Sequence, residues 1–160
     1  YNENSYEHGV SVKCLATECS IQKQMAGLKH LNRLDQVLAS KDLAKSGCEE
    51  GLMLDQQGKV IEGTKSNLLI FDGQKVTTPR LAQAGVAGTL RQYLLDSADK
   101  MGFALSEADV GIAQLKSADG LAVINSVFGL WPVKEFAGKR YAASKICGMI
   151  QSHLKTDLSF

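Results

Sequence analysis

The chain has 160 residues, 44% of them hydrophobic, and a formal net charge of +1, which suits one domain with a real core and argues against compositional disorder. Its basic residues do not cluster, so no polybasic face invites nucleic acid, and its apolar runs, such as 67–71 and 121–124, are strand-sized and far short of a membrane span. The four cysteines, Cys14, Cys19, Cys48 and Cys147, match neither a zinc spacing nor a CxxC pair and read as free thiols in a reducing cytosol, with no metal site expected.

Taken in order, the chain opens on YNENSYEHG, which is polar, starts without methionine and has no signal-peptide pattern. Residues 1–9 read as a linker entered from an upstream domain, and 10–160 as one compact domain. Val10, Val12 and Cys14 alternate with Ser11 and Lys13, which predicts a half-buried strand over 10–16. Residues 17–25 are polar loop. Leu31, Leu34, Val37 and Leu38 then recur at helical spacing, and the helix should run on to a C-terminal glycine at Gly47. Lys29 falls just before that helix or in its first turn.

Strands are predicted over 51–55 and 59–62, with Gln56, Gln57 and Gly58 between them, and over 67–71, a continuous apolar run of the kind buried on both faces. Asp72-Gly73 marks a hairpin into 75–78, which Pro79 ends. These tight, serial connections predict antiparallel pairing. Gly85 to Gly88 breaks the chain before an amphipathic helix over 89–101, with Leu90, Leu94, Leu95, Ala98 and Met101 along one side and Gly102 as its stop. A strand within 103–110, a short helix over 112–117, strands over 120–124 and 133–136, and a closing helix over 142–154 complete an α/β (α+β) domain.

Four places carry chemistry. Lys29 sits between Leu28 and Leu31 at a loop-to-helix junction, where a lysine can shed hydration and become a better amine nucleophile. Read alone, it is an ordinary solvated lysine. Glu62 ends a strand and opens a turn rich in small polar residues, Thr64, Ser66 and Asn67. A carboxylate there can hold a pyridine nitrogen protonated, or it is simply a strand-end charge. The three polar residues can bond a phosphate or close the turn. Glycines ahead of Thr89 and Leu90 free backbone N–H groups for an anion, with the helix dipole behind them. Arg91 beyond them reads as a salt-bridging helix residue. Asn125 and Ser126, at a later strand end, either complete a phosphate or substrate site or cap a turn.

The blocks AGLKHLNRLDQVLA, EGTKSN, TPRLAQAGVAGTLRQ and NSVFGLWPV, in this order, resemble the fold-type IV pyridoxal-phosphate enzymes. That family comprises D-amino-acid and branched-chain aminotransferases and aminodeoxychorismate lyases. The LKHLNR and AGVAGTLRQ wording is similar to the lyase branch, and the likeness extends from Val10 to Leu154. The resemblance implies the C-terminal, cofactor-binding domain of that fold, with Lys29 as the Schiff-base lysine and general base. It also implies Glu62 on the pyridine nitrogen, the amides of Thr89 and Leu90 on the phosphate with Ser126 as helper, and Asn125 near the site. The implied reaction is cleavage of 4-amino-4-deoxychorismate to 4-aminobenzoate and pyruvate for folate synthesis, in a cytoplasmic homodimer. Family members carry an N-terminal domain to which nothing in this chain corresponds. Two other functions compete: an aminotransferase of the same fold, and a catalytically silent domain. The segment from Asn125 to Val133 lacks the Thr-Ala-Glu or Thr-Ser-Glu run of transaminase sites, which argues against the former.

Overall fold

The computed structural model describes residues 3–142 and 144–157. In chain order the elements are α1 (Glu3–His8), β1 (Val10–Cys14), α2 (Leu34–Ala44), β2 (Glu50–Leu54), β3 (Val60–Gly63), β4 (Asn67–Asp72) and β5 (Lys75–Pro79). There follow α3 (Thr89–Ser97), a 3₁₀ turn (Asp99–Met101), β6 (Ala104–Ala108), α4 (Ile112–Ser117), β7 (Gly120–Asn125), β8 (Gly129–Phe136), β9 (Lys139–Arg140) and α5 (Lys145–Asp157). Of the stretch predicted as a linker, Tyr1 and Asn2 lie outside the described residues. Glu3–His8 of it forms α1, tied to the closing helix where Tyr6 Oη donates to the Gln151 carbonyl at 3.1 Å. Ala143, inside the predicted closing helix, also lies outside them.

All strands join one sheet in the order β3-β2-β1-β8-β7-β4-β5-β6, with β9 on the side of β8. The expected hairpins are present: β2 pairs antiparallel with β3, and β4 with β5. Three other pairings are parallel, β1 with β2, β1 with β8 and β5 with β6. The antiparallel pairing expected of the serial strands thus holds, and the parallel pairs beyond them make the sheet mixed, because α2 and α3 supply crossovers long enough for parallel return. The α/β (α+β) class stands.

Strand alternation decides which side each apolar residue serves. Leu68 and Ile70 of β4, with Leu121 and Val123 of β7 and Trp131 and Val133 of β8, face Leu115 of α4. Leu69 and Phe71, with Ala122, Ile124 and Leu130, face Leu90 and Leu94 of α3 and Ile146 and Ile150 of α5. The continuous run 67–71 is thus buried on both sides, as read from sequence. A third cluster joins Leu15, Cys19, Met53, Ile61, Leu81 and Ala84 to Ala39 and Leu43 of α2.

Two sequence expectations need correction. The helix begins at Leu34 rather than near Lys29, and the apolar stripe read as its core face points outward. Leu31 is 101% exposed, and Leu34, Val37 and Leu38 are exposed as well. The contact with β2 and β3 is made instead through the small Ala39 and through Leu43, which lets the helix lie close to the strands. The strand expected at 133–136 starts four residues earlier, at Gly129. Pro132 lies within it and disguises the pattern, although that proline is opposite Ala122 in the β7 pairing.

Candidate active site

Three chain segments are bound together by backbone and side-chain hydrogen bonds. Gly27 donates its N–H to the Gly85 carbonyl at 2.9 Å and accepts from the Ala87 N–H at 3.0 Å, which lays the loop before Lys29 alongside the turn before α3. Glu62 Oε2 accepts the Val86 N–H at 2.8 Å. Asn67 straddles the same turn: its Nδ2 donates to the Val86 carbonyl at 2.8 Å, and its Oδ1 accepts the Gly88 N–H at 3.2 Å. Gly85 needs its positive φ of 87°, and a Cβ there would lie 2.7 Å from Ile61 and Leu81 side-chain carbons. Gly88 is required for a different reason: a Cβ would run into Asn67 Oδ1.

The result is a cavity of about 470 Å³ lined by Lys29, Glu62, Gly88, Thr89, Asn125 and Ser126, among others. Five of the six residues picked out by sequence therefore share one cavity, although nearly a hundred positions separate the first from the last. The sixth, Leu90, sends its side chain into the core between α3 and the sheet, so only its backbone amide is available to the cavity side. The first N–H groups of a helix have no intrahelical acceptor. Among the described residues no side chain caps the start of α3, where Gly88 is the N-cap.

Glu62 is 2% exposed. Burial pushes its carboxyl above the ordinary value, against the opposing pull of the Val86 N–H, the Arg33 charge and the Gln36 amide, which donates at 3.3 Å. A carboxylate offers about four lone-pair sites. These two donors leave room for a third, and an acid held in an apolar setting is one that a cationic ring N–H would stabilise in its charged form. Lys29 is solvent-exposed, as are Leu28 and Leu31 on either side. The apolar cover expected around this lysine is thus corrected: with α2 starting only at Leu34, the neighbouring leucines are not folded over it.

The polar turn resolves in favour of structure. Thr64 Oγ1 and Ser66 Oγ both donate to Glu50, and Asn67 holds the 86–88 turn. Their hydroxyl and amide donors are therefore not directed at a phosphate. Asn125 does cap its turn: Oδ1 accepts the Val127 and Phe128 N–H groups at 2.9 Å each, and Nδ2 donates to the Lys65 carbonyl at 2.9 Å. Arg91 is 3% exposed, pairs with Glu107 and donates to the Pro79 carbonyl at 3.0 Å, the salt-bridging role expected of it. The four cysteines are free thiols, and burial pushes Cys19 and Cys147 up to about 12, out of the range of reactive thiolates.

Sequence reading missed Arg33, Gln36 and Glu50. Arg33 lines the cavity four residues after Lys29, and its buried Nη1 has no hydrogen-bond partner among the described residues. An unsatisfied cationic donor lining the same cavity as the start of α3 suits a phosphorylated, anionic group. The donor set thus fits pyridoxal phosphate: an accessible amine, a buried acid and a helix start whose first N–H groups have no side-chain cap among the described residues. The position of Arg33 in the block LKHLNR was the available signal. Gln36 and Glu50 carry none, since each is defined by a partner distant in sequence.

The sequence pattern described as Amino-transferase class IV matches residues 2–136. An aminodeoxychorismate lyase of Vibrio harveyi is 32% identical over 154 residues, covering 94% of this chain and 57% of the relative. The crystal structure of 4-amino-4-deoxychorismate lyase from Pseudomonas aeruginosa superposes with a TM-score of 0.95 at 39% identity, over 100% of this chain and 59% of that one. A branched-chain-amino-acid aminotransferase of Pseudomonas aeruginosa is 27% identical over 112 residues, 70% of this chain and 36% of the relative. The chain thus spans less than two thirds of the length of the relatives it matches. With the family pattern running through most of its length, on a fold that superposes throughout, this chain belongs to the class IV amino-transferase family.

Proposed function

We propose that the chain is the cofactor-binding C-terminal part of an aminodeoxychorismate lyase, acting on 4-amino-4-deoxychorismate to give 4-aminobenzoate and pyruvate for folate synthesis. The observation that carries the proposal is the convergence of Lys29, Glu62 and the start of α3 on one cavity. Similarity to lyases across nearly the whole chain supports the substrate class.

When bound, pyridoxal phosphate supplies an aldehyde for an amine and a ring that takes up electrons. Lys29 is the amine that would hold it, and its ε-amine would serve as the general base that takes the proton from the amine-bearing carbon of the substrate. Glu62 would keep the ring nitrogen protonated. The N–H groups of Thr89 and Leu90 would hold the phosphate, helped by the hydroxyl of Ser126, which lines the same cavity. Asn125 sets the position of Ser126 by fixing the turn on either side of it. The exposed apolar residues Leu28, Leu31, Leu34, Val37 and Leu38 support a homodimer, which we place in the cytoplasm.

An aminotransferase of the same family is the second reading, favoured by the branched-chain relative and opposed by the sequence of the 125–133 segment. One experiment separates the alternatives. The chain is incubated with pyridoxal phosphate, its visible absorption is recorded, and 4-aminobenzoate fluorescence is followed with the chorismate derivative. Keto-acid formation from alanine or a branched amino acid is followed in parallel. A cofactor band with 4-aminobenzoate release is the expected result. Keto acid alone would assign a transaminase, and no band at all would leave a silent domain.

A further inference from the structure

Glu50, the first residue of β2, is 0% exposed and has no cationic partner among the described residues. It is held by neutral donors alone. Oε1 accepts the Gly51 N–H at 2.8 Å, the Thr64 N–H at 3.1 Å and the Thr64 hydroxyl at 2.6 Å. Oε2 accepts the Ser66 hydroxyl at 2.7 Å. Taking a carboxyl group wholly out of water is costly unless its lone pairs are met. Here they are met almost entirely by one turn, residues 63–66.

That turn joins β3 to β4, and the residues flanking it are Glu62 and Asn67. These two hold the 86–88 turn through the Val86 and Gly88 amides. The same turn also supplies the Lys65 carbonyl that fixes Asn125. Every segment lining the cavity other than the Lys29 loop is therefore tied to the turn anchored on Glu50.

We infer that Glu50 is the positioning residue of this cavity, a buried acid that fixes the 63–66 turn so that Glu62 and Asn67 hold the entry to α3 in place. It touches no ligand. The inference rests on the cofactor-site reading above only for its consequence on binding, and the positioning itself is measurable without cofactor.

The test is amide hydrogen exchange on the chain alone, comparing the native protein, Glu50→Leu, Glu50→Gln and Leu115→Ala. The last lowers stability from the core beneath α4 and serves as the control for a global effect. In Glu50→Leu, protection at Val86 and Gly88 is expected to fall at least about tenfold beyond the drop seen in Leu115→Ala. Glu50→Gln is expected to retain most of it, since its amide oxygen still accepts from Gly51 and Thr64 and its NH₂ can donate to Ser66 Oγ. Ser66→Ala and Thr64→Val each remove one anchor and give a smaller loss at the same two amides, and they decide the question should Glu50→Leu not fold. Equal protection at Val86 and Gly88 in the anchor variants and the control would overturn the inference. Titration with pyridoxal phosphate adds a second arm: affinity falls in Glu50→Leu and Ser66→Ala but not in Leu115→Ala. A native chain that binds no cofactor would refute the function proposed above, while the exchange result would still decide the role of Glu50.

Discussion

Replacing Glu62 by Gln separates the charge of this residue from its shape. The amide oxygen can keep the Val86 N–H, now at 2.8 Å. The new NH₂ can be accepted by Gln36 once that side chain turns its own amide over, so the 3.3 Å contact also survives. What disappears is the negative charge. Without cofactor this loss should be favourable as pH rises. Burial raises the Glu62 carboxyl above its ordinary value of 4.5, so its contribution to native stability is fully present below that value and is lost as pH climbs through the raised one. Urea midpoints of Glu62→Gln should therefore gain on those of the native chain from about pH 4.5 upward. With cofactor the sign reverses. A hydrogen bond to a charged group exceeds a neutral one by about 1–1.5 kcal/mol, so pyridoxal phosphate should bind roughly tenfold more weakly. Turnover should fall by orders of magnitude, because the ring nitrogen loses the charge that keeps it protonated. The assays are denaturant titration across pH and cofactor titration by visible absorption. A pH-independent stability difference, together with unchanged cofactor affinity, would refute the placement of Glu62 as a buried acid facing the ring.

Lys29→Ala should abolish the visible cofactor band while leaving the thermal melting point nearly unchanged, since the side chain is exposed; a band that persisted would remove Lys29 from its role. Gly88→Ala should weaken cofactor binding and loosen the start of α3, because the added methyl displaces Asn67. Cofactor titration and exchange at Gln92, whose N–H is bonded to the Gly88 carbonyl at 2.9 Å, would show both. Leu94→Ala, at a fully buried position between α3 and the sheet, should cost about 2–5 kcal/mol of stability by denaturant titration. Leu31→Ser should leave the stability of the monomer within about 0.5 kcal/mol while weakening self-association in sedimentation, since Leu31 is exposed on the apolar patch proposed to pair two copies, although periodicity alone ranks the two leucines as equals.

Most strands and helices were legible in the chain because their signals are local. Alternation marks β1, an unbroken apolar run marks β4, Asp72-Gly73 marks its hairpin, and Leu90 and Leu94 mark the buried face of α3. The candidate site residues were legible for a similar reason, since a lysine, an acid and a glycine-led helix start each have a recognisable neighbourhood. The stripe Leu31, Leu34, Val37 and Leu38 misled, because periodicity reports that a helix has an apolar side and not which surface that side meets. The parallel pairings of β1 and β5 and the strand that begins at Gly129 were hidden because they depend on which distant segment lies alongside. The tertiary structure alone decided that Thr64 and Ser66 serve Glu50, that Asn67 clamps the entry to α3, and that Arg33 carries a buried donor with no partner among the described residues. Each of these is a hydrogen-bonding relation between residues brought together by the fold, and the energy of a buried polar group is set by the partner it meets there.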